Sequence, residues 1–398
     1  MYENNVIENT FENEYLTGRY FSRFASELRF VAETENVSRI KEKQFVSAYV
    51  RYPPIPWSNQ VDVFSGLDAG IIAALKNKEC FFIIDASEEG YSPIETGWFD
   101  AFYYTLNLHQ IDPKQVIFAS SNLKDEDNIK NYVDLNCVVP IHVVSWNKFE
   151  LHAELELQEN TEKALEHIVR KTNSDFNGKY LFSSLSRATR PHKTLMQFLL
   201  WHKCKKYARL SHDCLEDLPP FENPKISSLP SGEWLATLPL IADYDDFSIN
   251  WACRTPFQHL HTESLFQVVN ETWGDMWEDR SAFYSEKTFM AISCFTPLII
   301  NGSVGINHHL ASIGYKLYDD WFDLSFDFEK NYETRCLMIA DQVTELCKKL
   351  SAMERHEQIA WKFKNIDLLK HNYEVLKNHA FSRAKFKNLL AVLEKQVS

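Results

Sequence analysis

Basic residues are concentrated in one stretch of an otherwise acidic chain. The sequence carries a formal net charge of −13, yet residues 179–209 contain Lys and Arg and not one acid. Four of these basic side chains stand between a predicted strand and a helix that follows it: Arg187, Arg190, His192 and Lys193. Arginine binds phosphate through two parallel hydrogen bonds, and lysine binds it as a point charge. We expect a phosphate-binding site here, at the carboxyl end of a strand, where open α/β sheets bind their ligands.

A second chemical signal is the tripeptide Ser285-Glu286-Lys287, which opens a predicted helix. Ser285 suits the N-cap position and Glu286 suits the first turn. Lys287 does not, because a cation near a helix N-terminus opposes the helix dipole. A bound anion would reverse that argument, since the free N–H groups and the lysine could share a phosphate. The alternative is a surface helix that happens to begin with a lysine.

Acids follow a buried apolar run in FFIIDASEEGY (81–91). Asp85 and Glu88 stand at or just beyond the end of this predicted strand, where a carboxylate could act as general base toward a hydroxyl. An ordinary solvated loop explains either residue equally well.

Two acidic clusters raise the question of a metal ion: Asp243, Asp245 and Asp246, and Asp319, Asp320 and Asp323. Closely spaced carboxylates can hold a divalent cation against a diphosphate. The first cluster lies in an irregular segment, and aromatic residues separate the acids of the second, so we interpret both as loops. The eight cysteines match no zinc spacing. We therefore expect neither a metal nor a cofactor.

The elements that would position these residues alternate between strand and helix, which predicts parallel sheets joined by right-handed crossovers. Predicted strands in the first half cover 44–50, 79–87, 114–120 and 137–146. After a break at 174–178 the alternation restarts, with strands at 179–185, 206–211, 264–270, 297–302 and 315–320. The chain is helical from about residue 331. The predicted domains are residues 1–176, residues 177–350 and a helical tail, 351–398.

Composition limits the protein classes that remain. Hydrophobic residues make up 45% of the 398, enough for two packed cores. The acidic N-terminus does not resemble a signal peptide, and no apolar run approaches the ~18 residues of a membrane span. Most cysteines lie in apolar runs and are interpreted as reduced core thiols. We expect a cytoplasmic protein, located in the host cytoplasm if it is encoded by a phage.

Taken as an ordered set, the motifs resemble those of a known enzyme family. FYSEKTF followed by PLIING (283–302) is similar to the donor-binding segment of GT-B glycosyltransferases of the fucosyltransferase kind. The set is still more similar to phage and bacterial glycosyltransferase-like proteins, through RATRPHK (187–193), SEKT (285–288), GYKLY (314–318) and DLSFD (323–327). The resemblance covers about 179–335. It departs from the pattern at Leu324, where those proteins carry an acid.

The resemblance implies two facing Rossmann-like domains, with the donor in the second and the acceptor entering from the first. It implies that Lys287 and Arg187 or Arg190 neutralise a diphosphate, and that Glu286 contacts the ribose or the sugar. Glu271, at the end of the preceding strand, becomes a second acid on the donor side. The partners implied are a nucleotide sugar, such as a UDP- or GDP-sugar, and a hydroxyl acceptor. That acceptor could be a glycan, a small molecule or a hydroxymethylated base of phage DNA, which the basic C-terminal residues could contact.

Two other functions remain open at this level. One is a metal-dependent GT-A transferase that uses the cluster at 243–246. The other is a non-catalytic two-domain protein that binds a nucleotide or a glycan.

Overall fold

The computed structural model describes the residues in these ranges: 6–8, 28, 44–49, 62, 64, 67–87, 90, 93–147, 149–150, 160–186, 189–240, 258–272, 274, 281–378 and 380–397. Arg187, Glu88 and the acidic cluster at 243–246 lie outside them.

The chain divides into two compact units. The first lies within Met1–Lys148, Arg280–Phe283 and Ala380–Ser398, and the second within Phe149–Asp279 and Tyr284–His379. This division falls earlier than the predicted boundary at residue 176, and it assigns the last helix to the first unit.

The first unit contains a five-stranded parallel sheet whose strands follow chain order, β1-β2-β3-β4-β5. Its strands are β1 (Val6–Glu8), β2 (Gln44–Tyr49), β3 (Cys80–Ala86), β4 (Val116–Ser120) and β5 (His142–Ser145). The helices between them are α1 (Ala69–Lys76), α2 (Trp98–His109) and α3 (Asp125–Asn136). β1 was not predicted, because it has only three residues and lies in an acidic, polar segment of the sequence.

Burial explains why β3 reads as a continuous apolar run. Six of its seven residues are buried, as expected where helices cover both faces of a parallel sheet. One face packs Phe82 and Ile84 into a cluster with Trp98 and Phe102 of α2, whose rings stack with centroids 5.0 Å apart.

The second unit contains a four-stranded parallel sheet in the order β7-β6-β8-β9. Its strands are β6 (Phe182–Leu185), β7 (Ala208–Ser211), β8 (Phe266–Asn270) and β9 (Leu298–Asn301). The chain passes from β6 outward to β7 and then returns to the other side of β6 for β8. The direction of winding therefore reverses between β6 and β8, and such a reversal is where open sheets bind ligands.

Eleven helices complete the chain within the described residues. They are α4 (Thr161–Asp175), α5 (Pro191–Cys204), α6 (Pro224–Ser227), α7 (Gly232–Leu235), α8 (Gln258–Thr262), α9 (Glu286–Ser293), α10 (Ile306–Ser312), α11 (Tyr332–Ser351), α12 (Arg355–Lys362), α13 (Ile366–Asn378) and α14 (Ala380–Val397). The prediction of two parallel, Rossmann-like α/β units with a helical C-terminus is confirmed. No helix in the described part of the chain is long and apolar enough to cross a membrane.

One sequence-based prediction was wrong. The segment at 315–320 is not a strand: Tyr315 and Tyr318 are buried three residues apart, which does not fit the two-residue period of a strand. The interpretation of most cysteines as reduced core thiols is confirmed for five of the seven described cysteines, which are free and buried, whereas Cys137 and Cys214 are free and exposed.

Candidate functional site

The second unit brings polar side chains together at the carboxyl edge of its sheet. One group follows β6 and opens α5, a second follows β8, and a third opens α9. The first group lies 79 residues before the second and the second lies 14 residues before the third, but all three meet beside the β6–β8 reversal. The described members are Arg190, His192, Lys193, Glu271, Ser285, Glu286 and Lys287, each predicted from the sequence.

Lys193 is the most unusual member of this group. Its side chain lies in the first turn of α5 and is only 4% exposed. Burial, together with the nearby cations Lys287 and Arg190, lowers its pKa to about 7, because Glu271 and Glu286 offset these effects only in part. A buried amine in such surroundings favours its neutral form. A negatively charged ligand beside this amine would therefore stabilise its protonated form.

Three side chains fix the backbone that follows β8 by donating to its carbonyl groups. Arg190 Nη1 donates to Thr272 O at 2.5 Å, and His192 Nε2 lies 2.9 Å from Glu271 O. Arg335 Nη2, from α11, donates to Gly274 O at 2.5 Å. His192 is fully buried, so it holds this loop rather than offering its ring to a ligand. Arg335 was not predicted as a site residue, because it lies 61 residues from its partner in the sequence.

Glu271 joins the end of β8 to the start of α9. Its carboxylate accepts from Ser285 N at 2.9 Å and from Thr288 Oγ1 at 2.5 Å. Burial raises its pKa, although these hydrogen bonds and Lys287 act in the opposite direction. Since both oxygens are engaged, Glu271 positions the first turn of α9.

Glu286 and Lys287 form an ion pair with each other at that first turn, and both side chains are mostly buried. Burial opposes ionisation of both groups, but each partner outweighs it for the other. The pKa of Glu286 is therefore lowered and that of Lys287 raised. Ser285 caps the helix, its Oγ accepting from Lys287 N at 3.4 Å. Both groups are thus charged at neutral pH, next to the amine of Lys193.

This arrangement can do two kinds of chemistry. Three basic side chains from two helix N-termini, Arg190, Lys193 and Lys287, lie close enough to act on one another electrostatically, which suits a phosphate or diphosphate. The carboxylate of Glu286 beside them can accept hydrogen bonds from hydroxyl groups of the same ligand.

The candidate bases lie in the first unit. Asp85 is 2% exposed at the end of β3, and its Oδ1 accepts from Ser87 N at 3.2 Å. That hydrogen bond closes the turn after the strand. Glu88 lies outside the described residues, so its predicted role stays a prediction.

Asp319, Asp320 and Asp323 do not form a metal site. Among the described residues, no group of three His, Cys, Asp or Glu side chains could hold a metal ion. Asp323 instead caps a turn through Ser325 N at 2.9 Å.

His308 and Asp327 interact near the carboxyl end of β9, and the sequence analysis did not predict this contact. Asp327 is fully buried and accepts from the backbone N–H groups of Asn307 and His308. Its Oδ2 also lies 2.7 Å from His308 Nδ1. The pair fixes the start of α10.

Comparison with known proteins gives similarity at the level of overall structure. No protein-family model matches the chain, and no curated protein matches it. A structure of the N-terminal domain of Candida albicans trehalose-6-phosphate phosphatase has a TM-score of 0.47 at 8% identity, over 94% of this chain and 76% of that one. A trehalose 6-phosphate synthase from Burkholderia multivorans has a TM-score of 0.40 at 11% identity, over 96% and 79%. A glycosyltransferase from Rickettsia africae has 0.40 at 13%, over 96% and 84%.

Proposed function

We propose that the chain is a glycosyltransferase of the GT-B type that transfers a sugar from a nucleotide diphosphate sugar to a hydroxyl acceptor. The observation that carries the proposal is the group of Arg190, Lys193 and Lys287, which meets at the β6–β8 reversal of a parallel sheet. A diphosphate is the ligand that such a set of cations fits best, since arginine and lysine supply both directional bonds and charge.

In this proposal the donor diphosphate lies against those three cations, and Arg187 adds a fourth. Glu286 accepts hydrogen bonds from the ribose or the sugar. His192 and Glu271 hold the surrounding backbone in place. The acceptor oxygen attacks the anomeric carbon and loses its proton to a base, for which Asp85 and Glu88 are the candidates. The bond from that carbon to the phosphate oxygen breaks, and the diphosphate leaves with the electron pair. Positive side chains stabilise the charge that develops on it, so the reaction needs no metal.

The acceptor is a glycan, a small molecule or a modified DNA base. The basic C-terminal residues do not favour DNA among these. Lys370, Lys377 and Lys385 are each paired with a carboxylate, and Lys362 is buried.

A thermal-shift panel of UDP-, GDP-, CMP- and dTDP-sugars tests the donor. We expect the sugars of one nucleotide in the panel to raise the melting temperature of the protein, and we expect Lys193→Met to abolish that rise. Release of the nucleotide diphosphate from the same donor, with or without acceptor, then tests for catalysis. Binding without any turnover would identify a binding protein instead, and no binding by any member of the panel would refute the proposal.

A further inference from the structure

Among the described residues of the second unit, two lysines are fully or almost fully buried, Lys193 and Lys362, and they differ in the hydrogen bonds that they make. Lys362 is fully buried, and its Nζ donates to His261 O at 2.5 Å and to Ser264 O at 3.0 Å. Lys193 is 4% exposed, and among the described residues its Nζ has no hydrogen bond or ion pair. This nitrogen is not among the side-chain atoms that are closed off from solvent without a partner. Because buried polar groups normally have protein partners, an amine that reaches solvent from a buried side chain without one is placed to bind a ligand.

Charged and titratable groups on Lys193's own helix and on three neighbouring segments bear on the charge of Lys193. The groups are Arg190 at the start of its own helix, Lys287 and Glu286 on α9, Glu271 after β8, and His212 after β7. Burial and the two cations act against the ammonium form, and the two carboxylates only partly compensate. The pKa of about 7 that results leaves the amine mostly neutral at about pH 8.

A multiply charged anion at this position reverses the balance, because it supplies an acceptor and negative charge at once. We propose that this site binds a diphosphate together with one proton, which the Lys193 amine takes up. The inference rests on the proposed function for the identity of the ligand. The proton comes from solvent and adds to the nitrogen lone pair, and no bond of the ligand changes. Cleavage of the donor then adds a further negative charge to the diphosphate, next to the ammonium group that binding has formed.

Linkage fixes the pH dependence that follows. Binding raises the pKa of Lys193 above its value in the free protein. Between these two pKa values the complex holds one more proton than the free protein, so affinity falls as pH rises. The expected loss is about tenfold per pH unit above about pH 7, with about one proton taken up per ligand. Below about pH 7 the amine is already charged, and the uptake disappears.

Titration calorimetry in buffers of different ionisation enthalpy measures the proton directly. Two probes are used: sulfate, a dianion whose charge does not change over this pH range, and the nucleotide sugars of the panel. Lys193→Arg carries a permanent charge and should bind both probes without proton uptake. Lys193→Met should bind both weakly, at all pH values. Lys203→Met changes the same helix outside the site and should behave as the unmodified protein, and melting curves check that each variant folds.

The outcomes separate the two proposals. Binding of a nucleotide sugar without uptake, or equal uptake in Lys193→Arg, overturns the inference and leaves the proposed function standing. Proton-coupled binding of sulfate without binding of any nucleotide sugar supports the coupled anion site and refutes the proposed function. Failure of both probes to bind overturns both.

Discussion

Lys362 offers a test of the physical reasoning applied to Lys193, because it is buried and shifted to the same extent but has no connection to the site. Burial lowers its pKa from an ordinary 10.5 to about 7. The unfolded chain therefore holds the proton up to about pH 10.5, whereas the folded protein releases it near pH 7. Between those values the unfolded state binds more protons, so the free energy of unfolding rises with pH.

The size of the effect follows from the two pKa values. Each pH unit well inside the window contributes about 1.4 kcal/mol, the free energy of one pKa unit. From about pH 7.5 to about pH 9.5, allowing for partial titration at both ends, Lys362 should contribute about 2.5 kcal/mol. The Lys362→Met variant lacks this contribution. Over this pH range, the free energy of unfolding of the unmodified protein should therefore rise by that amount relative to the free energy of unfolding of the variant.

Urea denaturation of both proteins at several pH values measures this difference. Subtracting the variant cancels the titration of every other group, including Lys193. Lys349→Met, on an exposed position of α11, serves as the control and should leave the pH dependence unchanged. A difference between the unmodified protein and Lys362→Met that does not vary with pH would refute the argument that burial without a counter-charge neutralises these lysines.

Three further predictions concern the site. Lys287→Ala should weaken binding of the nucleotide sugar about 10- to 100-fold, by loss of a charge-assisted contact, while the mostly buried carboxylate of Glu286, left without this partner, should lower the free energy of unfolding by about 1–3 kcal/mol. Gly274→Ala should lower stability by about 1–3 kcal/mol and impair donor binding, because the added Cβ would lie 2.6 Å from Cδ2 of the buried His192 ring. Transfer should persist in excess EDTA, since the proposed mechanism uses cationic side chains in place of a metal.

These predictions have simple controls. Gly232→Ala adds a methyl group at a glycine with no atom within 4 Å of the new Cβ, and it should be tolerated. An early-melting Lys287→Ala variant with normal specific activity would make Lys287 a structural residue. Loss of transfer in EDTA, restored by a divalent cation, would favour the metal-dependent alternative.

The sequence alone predicted the parts of this protein that depend on neighbouring residues. The continuous apolar run of β3 reveals a strand buried on both faces, and Ser285 marks the start of α9, because burial pattern and capping are properties of a few consecutive residues. The same local logic marked Lys287 as unusual, since it places a cation where a helix N-terminus disfavours it, and Lys193 was singled out because it lies in a basic stretch without acids. The prediction of a strand failed at 315–320, where two tyrosines that are close in sequence are buried without forming a strand.

Tertiary structure decided how those segments act together. The order β7-β6-β8-β9, and with it the position of the reversal, depends on contacts between distant strands that no local pattern encodes. Glu271 was predicted as an acid on the donor side, and only the fold shows that its carboxylate accepts two hydrogen bonds from the start of α9. Arg335 could not be found from sequence, because only the fold brings it to Gly274 O. The lowered pKa of Lys193 has the same origin, because only the burial and the neighbouring charges created by folding shift it from the ordinary value of a lysine.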